Sequence, residues 1–212
     1  MLKEINVVTI FPEIIKEWMK YGIVNKGIEK NIFSLNVYDL REWGLGNSRQ
    51  VDDAPYGGGP GMVMMVEPID KAIRDIASDK NIFLTPSGKS FDHTILYELL
   101  DNSSLTIVCG RYEGFDKRVI DMHADYEISL GGVVVSGGEI PGMFVIEALV
   151  RNIPGVLGNE ESLFYETFND GMIDHPVYTR PERYKDYAVP EVLLSGDHKK
   201  IEKWKKENLK DI

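Results

Sequence analysis

Short β-branched runs that alternate with stretches of helical period constrain this chain more than any other feature. The runs fall at Ile5–Phe11, Phe33–Leu40, Ile82–Thr85, Leu105–Cys109 and Val133–Val135. Between several of them, apolar residues recur at helical spacing. These segments are Pro12–Tyr21, opened by its proline, Pro68–Ala77, and Asp92–Leu100 with Asp92 as N-cap. A further helix is expected from about Met143 to Arg151, closed by Pro154 and Gly155. Strands separated by helices of this length build βαβ units, so the expected class is α/β, with a mostly parallel sheet flanked by helices. Residues 153–171 have little periodicity and read as a linker, with a boundary near residue 160. Beyond it Pro176, Pro181 and Pro190 break the chain into turns, and a basic helix runs from Asp197 through Trp204. The expected organisation is a main domain over 1–160, a flexible linker over 161–170 and a short helical domain over 171–212.

Composition narrows the class. A 43% hydrophobic content over 212 residues is enough for a sizeable core. Cys109 is the only cysteine, so no intrachain disulfide forms and a reducing, cytoplasmic setting is expected. The first apolar stretch, Ile5–Phe11, is interrupted by Asn6 and Thr9 and is too short for a leader or a membrane span. The net charge of −10 weighs against nucleic acid, since phosphate binding runs on Lys and Arg. Its distribution softens that objection. Residues 176–212 hold nine Lys or Arg against seven Asp or Glu, leaving 15 against 27 in the preceding residues. For any single charge in that tail, a solvated helix surface is the simpler account.

Three near-motifs fail. Gly88-Lys89-Ser90 resembles the end of a P-loop, but the required first glycine falls at Phe83. A Rossmann-type site wants a glycine-rich turn after the first strand, and Phe11 is followed by Pro12-Glu13-Ile14-Ile15. His93, His123, His175 and His198 show no metal-ligand spacing among themselves or with Cys109.

Four glycine clusters carry more information. They are Gly57-Gly58-Gly59-Pro60-Gly61, Gly110-Arg111-Tyr112-Glu113-Gly114, Gly131-Gly132, and Gly137-Gly138-Glu139-Ile140-Pro141-Gly142. Each lies at or near a strand end. One such cluster is usually only a turn. Four of them, with Arg111, Glu113 and Glu139 embedded, read as a ligand pocket built largely from backbone, because glycine lets the main chain approach a ligand. Such a pocket suits an adenine and a ribose, with an apolar lining available from Phe83, Leu84, Pro86, Leu130 and Val133. Taken singly, each of these is better explained as core.

The segments VDDAPYGGGPGMVMM, LTIVCGRYEGFDKRVID, SLGGVVVSGGEIPG, RNIPGVLGNEESL and DGMIDHPVYTRPE follow one another in this order. In combination they resemble the bacterial tRNA (guanine-N1)-methyltransferases of the knotted SPOUT superfamily, over about Ile5 to Trp204. The resemblance implies a deep C-terminal trefoil knot, a homodimer, and S-adenosylmethionine bound in the walls of the knot. It implies tRNA as partner, gripped at the anticodon arm by the small C-terminal domain, with methyl transfer to the guanine immediately 3′ of the anticodon. The positions matching the family's donor site are Phe83, Leu84, Thr85, Pro86, Gly110, Tyr112, Glu113, Ser129, Leu130, Gly131, Val133, Val135, Gly137, Gly138 and Pro141. Asp52 and Gly61 match positions that hold the guanine, and Arg180 in Tyr178-Thr179-Arg180-Pro181 matches a substrate position. The general base falls at Glu166 and the arginine at Arg151. The family commonly has Asp at the Glu166 position, which leaves Asp174 and Asp52 as rival bases. Magnesium is implied as an assisting ion near Glu113 or Asp174, although the sequence shows no metal cage. Family members usually continue past the Trp204 region, so a chain stopping at Ile212 is expected to hold tRNA less firmly.

The chemistry such a reaction needs can be stated on its own. Guanine N1 carries a proton and is a poor nucleophile until a carboxylate within hydrogen-bond reach takes that proton. Charge then builds on O6, where a positioned arginine stabilises it. Two alternatives stay open: a knotted methyltransferase acting elsewhere on RNA, and a non-catalytic RNA-binding relative, which would be expected to lose Arg151 and the linker carboxylate.

Overall fold

The structure, a computed structural model, describes residues 1–158 and 172–211. The chain divides into two units, Met1–Gly158 and Asn159–Ile212. In the first unit the strands are β1 (Glu4–Thr9), β2 (Ser34–Asp39), β3 (Asp52–Asp53), β4 (Val63–Met64), β5 (Lys80–Ser90), β6 (Ser104–Cys109) and β7 (Tyr126–Ser129). The helices are α1 (Pro12–Trp18), α2 (Gly22–Glu29), α3 (Val66–Ile76), α4 (His93–Leu100), α5 (Lys117–His123) and α6 (Glu139–Arg151). Five strands form one sheet in the order β2-β1-β6-β5-β7, and every pairing in it is parallel. The sequence-based expectation of an α/β fold on a parallel sheet holds.

Parallel strands bury both faces, so their sequences are apolar on both sides. Ile5, Val7, Ile82, Leu84, Leu105 and Ile107 pack against Ile15 of α1, Val24 of α2, Leu96 and Leu99 of α4, and Val145, Ile146 and Leu149 of α6. On the alternate positions Val8, Phe83 and Val108 meet Ile69, Ala72 and Ile73 of α3 and Val119 and Ile120 of α5. Each fully buried Leu or Ile contributes about 1.5–3 kcal/mol. Asp92 caps α4 as expected, its carboxylate accepting from the Ile95 N–H at 3.0 Å.

Three local expectations need correction. Val133–Val135 is not a strand: the three valines are 68%, 81% and 45% exposed and carry no regular structure. β-Branching favours a strand only where a pleated surface packs on something. The strand beside them is β7, whose Tyr-Glu-Ile-Ser sequence carries little signal. Pro12–Tyr21 is shorter than one helix, since Gly22 at φ +67° turns the chain into α2. Helix α6 begins at Glu139 rather than Met143, with Pro141 in its first turn, where no helical hydrogen bond needs its missing N–H.

Strand β5 leaves its ladder and returns. Leu84 and Lys89 both register with Ile128 of β7, so residues 85–88 form an excursion. Gly88 brings the strand back: a Cβ there would lie 2.5 Å from the Glu127 carbonyl. In the second unit Met172–Ile173 pairs antiparallel with Lys210–Asp211, and Arg183–Tyr184 with Tyr187–Ala188. The helix His198–Glu207 is capped by Asp197 as expected, and its Trp204 lies near the rings of His175 and Tyr178. No helix among the described residues is long and apolar enough to cross a membrane.

Gly88→Ala is expected to cost about 1–3 kcal/mol by forcing the backbones apart. Gly132→Ala, which meets open space, should stay within about 0.5 kcal/mol. Urea unfolding of both variants checks this; equal stability would show that β5 tolerates displacement at its return.

Candidate active site

Because the sheet is parallel, the carboxyl ends of β1, β5, β6 and β7 share one edge, where ligands gather in folds of this class. A buried carboxylate organises that edge. Glu139, at the first position of α6, is 1% exposed. Its Oε1 accepts from the Thr9 hydroxyl at the end of β1 (2.6 Å), and its Oε2 accepts from Arg111 Nε after the end of β6 (2.8 Å). Arg111 Nη2 lies 2.7 Å from the same oxygen. Thr9 in turn accepts from the Phe11 N–H at 2.9 Å, and Arg111 Nη1 donates to the Ser136 carbonyl at 3.2 Å. The Gly138 N–H donates to the Gly110 carbonyl at 2.7 Å. Here glycine is required by close approach, since a Cβ at Gly138 would lie 2.7 Å from Cys109 Cα. The Arg111 guanidinium also sits 4.4 Å from the Phe11 ring centroid. Beneath the clamp, burial and then the Glu139 charge push the Cys109 thiol well above its ordinary value, so it is an inert core group.

The strand ends enclose a cavity of about 240 Å3. Its walls are the β5 excursion, the loop after β6, and the segment from Ser129 into the first turn of α6. The wall after β7 is fixed at both ends: Ser129 Oγ bonds the Gly131 carbonyl at 3.0 Å, and Ser136 and Gly138 are tied to Arg111 and Gly110. The one arginine on the walls already has Glu139 as its partner, so the interior presents mainly apolar groups and backbone.

A small hairpin stands on the rim. β3 and β4 pair antiparallel, with Asp52 opposite Met64. The loop after β6 is bonded along β4: Glu113 N–H to Met62 carbonyl and Met64 N–H to Gly114 carbonyl, both 2.9 Å. The Asp52 carboxylate stands beside the Tyr112 phenol; burial, then the Asp52 charge, raises that phenol above its ordinary value. Gly61 packs on the Glu113 side chain, where a Cβ would lie 2.6 Å from Cγ.

The family model described as tRNA (Guanine-1)-methyltransferase TrmD matches residues 3–211. The chain belongs to this family. It is a methyltransferase. A tRNA (guanine-N(1)-)-methyltransferase of Nitrosospira multiformis is 44% identical, over 97% of this chain and 84% of that protein. The corresponding proteins of Wolbachia pipientis and Thermosipho africanus are each 43% identical, covering 97% and 96% of this chain and 89% and 83% of theirs.

Of the positions matched to the donor site, Leu84, Thr85, Pro86, Gly110, Tyr112, Glu113, Ser129, Leu130, Val133, Val135, Gly137, Gly138 and Pro141 line the cavity. Phe83 does not. It is fully buried in the opposite core, edge-on to Phe115 with centroids 5.1 Å apart. Gly131 lies just outside the wall, at φ +135°. Asp52 and Gly61 reach the rim through Tyr112 and Glu113. Arg151 ends α6, about 18 Å along the axis from Glu139. Asp174, half-buried and accepting from the His175 N–H at 2.7 Å, and the exposed Arg180 belong to the second unit. Glu166 lies outside the described residues. Among those described, no group of three or more His, Cys, Asp or Glu is arranged to hold a metal ion. The organising pair of Glu139 with Thr9 was not legible beforehand, because 130 residues separate them; an acidic residue inside a glycine cluster was the only signal.

Glu139→Gln keeps the shape but leaves Arg111 without its charge partner, and is expected to destabilise by about 3 kcal/mol. Arg111→Met added to it should recover part of that loss. Chemical denaturation of the single and double variants measures both; a single-variant cost under about 1 kcal/mol would contradict the clamp.

Proposed function

We propose that this chain transfers a methyl group from S-adenosylmethionine to N1 of the guanine immediately 3′ of the anticodon in tRNA. The observation that carries the reading is the cavity at the carboxyl ends of β5, β6 and β7, with the Asp52–Gly61 hairpin on its rim. The residues present fit the donor. Leu130, Val133 and Ile140 offer apolar surface for an adenine, and the backbone at Gly110, Gly137 and Gly138 offers polar groups to a nucleoside at close range. S-adenosylmethionine supplies an already electrophilic methyl, so the protein's task toward it is orientation.

The acceptor needs more help. In this reading Glu166 takes the N1 proton and Arg151 stabilises the charge that grows on O6, with Asp174 and Asp52 as rival bases. Asp52 and Gly61 hold the guanine against the rim, and Arg180 contacts the tRNA. The reading includes a deep trefoil knot whose walls are the cavity, and a cytoplasmic homodimer. Two features support a second copy: α6 carries Arg151 about 18 Å from its cavity end, and Phe144 on the same helix is 55% exposed. A small C-terminal domain over 171–212, joined by the 161–170 linker, completes the grip on the anticodon arm. Magnesium assists in this reading, near either Glu113 or Asp174.

Incubation with labelled S-adenosylmethionine and a transcript bearing guanine 3′ of the anticodon is expected to yield 1-methylguanosine, and an adenine-substituted transcript none. Another methylated nucleoside would move the reading to a different RNA site; donor binding without any product would favour an RNA-binding relative. Arg151→Ala and Glu166→Gln should each abolish turnover while leaving donor affinity by calorimetry within about twofold. Full activity in both would overturn the assigned roles.

A further inference from the structure

The loop between β3 and β4 carries a feature that neither the core nor the cavity explains. Tyr56 is 99% exposed, an unusual position for a large aromatic ring. Gly57, Gly58 and Gly59 follow it at φ +86°, +77° and +131°, and a Cβ on any of them would meet nothing within 4 Å. These glycines set the backbone path and leave the space around the tip clear of the described residues. The base of the loop is held: Gly58 N–H donates to the Pro55 carbonyl at 3.2 Å, Ala54 N–H to the Asp53 carboxylate at 2.7 Å, and Met65 N–H to the Val51 carbonyl at 2.8 Å. A bare ring is thus presented on an anchored hairpin, four residues after Asp52 and five before Gly61.

Guanine N1 lies on the Watson–Crick edge, and an enzyme reaches such an atom in a walled site by taking the base out of its stack. The base beside it then loses a stacking partner. Bases of single-stranded RNA loops are held on aromatic side chains for this reason. We propose that Tyr56 is a stacking platform: its ring takes the face of the nucleobase adjacent to the target guanine once the guanine has left the stack. The assignment rests on the tRNA reading above. It also suits a chain of net charge −10, because stacking draws on the π-face of a base rather than on phosphate attraction.

The test compares wild type with Tyr56→Ala, Tyr56→Phe and Tyr56→Trp, using the tRNA transcript and labelled S-adenosylmethionine. Tyr56→Ala is expected to raise KM for tRNA by about 5- to 150-fold, the range for losing one base–aromatic stack. Phe and Trp should restore wild-type KM. The salt dependence of tRNA binding should keep its slope, since no phosphate contact is lost. Donor affinity and Tm should not change, as the ring is almost fully exposed. An unchanged KM in Tyr56→Ala overturns the proposal, and so does a Phe variant as defective as Ala, which would assign the effect to the hydroxyl. A flattened salt slope also overturns it. If wild-type protein forms no 1-methylguanosine, the tRNA reading itself has failed, and that result is separate from any effect of the variants.

Discussion

The buried Glu139 carboxylate is the interaction on which the first unit's functional edge depends. Its two oxygens take hydrogen bonds from Thr9 at the end of β1 and Arg111 after β6, and its own backbone starts α6. Three elements distant in sequence therefore meet at one group. A buried charge is costly unless paired and hydrogen-bonded, and here the pairing fixes the loop that forms one cavity wall. Arg111 passes the constraint on to the Ser136 carbonyl and the Phe11 ring. With its charge committed to Glu139, Arg111 shapes the cavity without adding free positive charge to a wall that also carries Glu113. A mainly apolar, backbone-rich wall with a carboxylate on it suits a nucleoside better than a phosphate.

The parts of this fold that read directly from the sequence are those governed by local pattern. Ile5–Phe11, Phe33–Leu40, Ile82–Thr85 and Leu105–Cys109 each contain or overlap a strand of the sheet, because continuous β-branched runs match strands buried on both faces. Asp92 and Asp197 start helices because an acidic side chain can accept a backbone N–H there. The glycine clusters mark strand ends where main chain packs on main chain, as Gly138 does on Cys109.

What stayed hidden depends on contacts far apart in the chain. Val133–Val135 has strand composition but no surface to pack on, while Tyr126–Ser129 has weak composition and gains its ladder from β5. The return of β5 at Gly88 is set by the approach of β7, which no local propensity encodes. Asp52 meets Tyr112 across 60 residues of sequence, so the joining of rim and cavity is visible only in the fold. The positions matched to the donor site came from resemblance rather than periodicity. The alternation of β5 separates them: Leu84 faces the cavity and Phe83 the opposite core.

A crystal structure of the chain with S-adenosylhomocysteine tests the central claim most directly, that the clamped cavity holds the methyl donor. The account predicts the nucleoside between the β5 excursion and the segment Ser129–Pro141, with the Glu139–Arg111 pair intact. Ligand bound elsewhere, or a site formed only after that pair has broken, would contradict it.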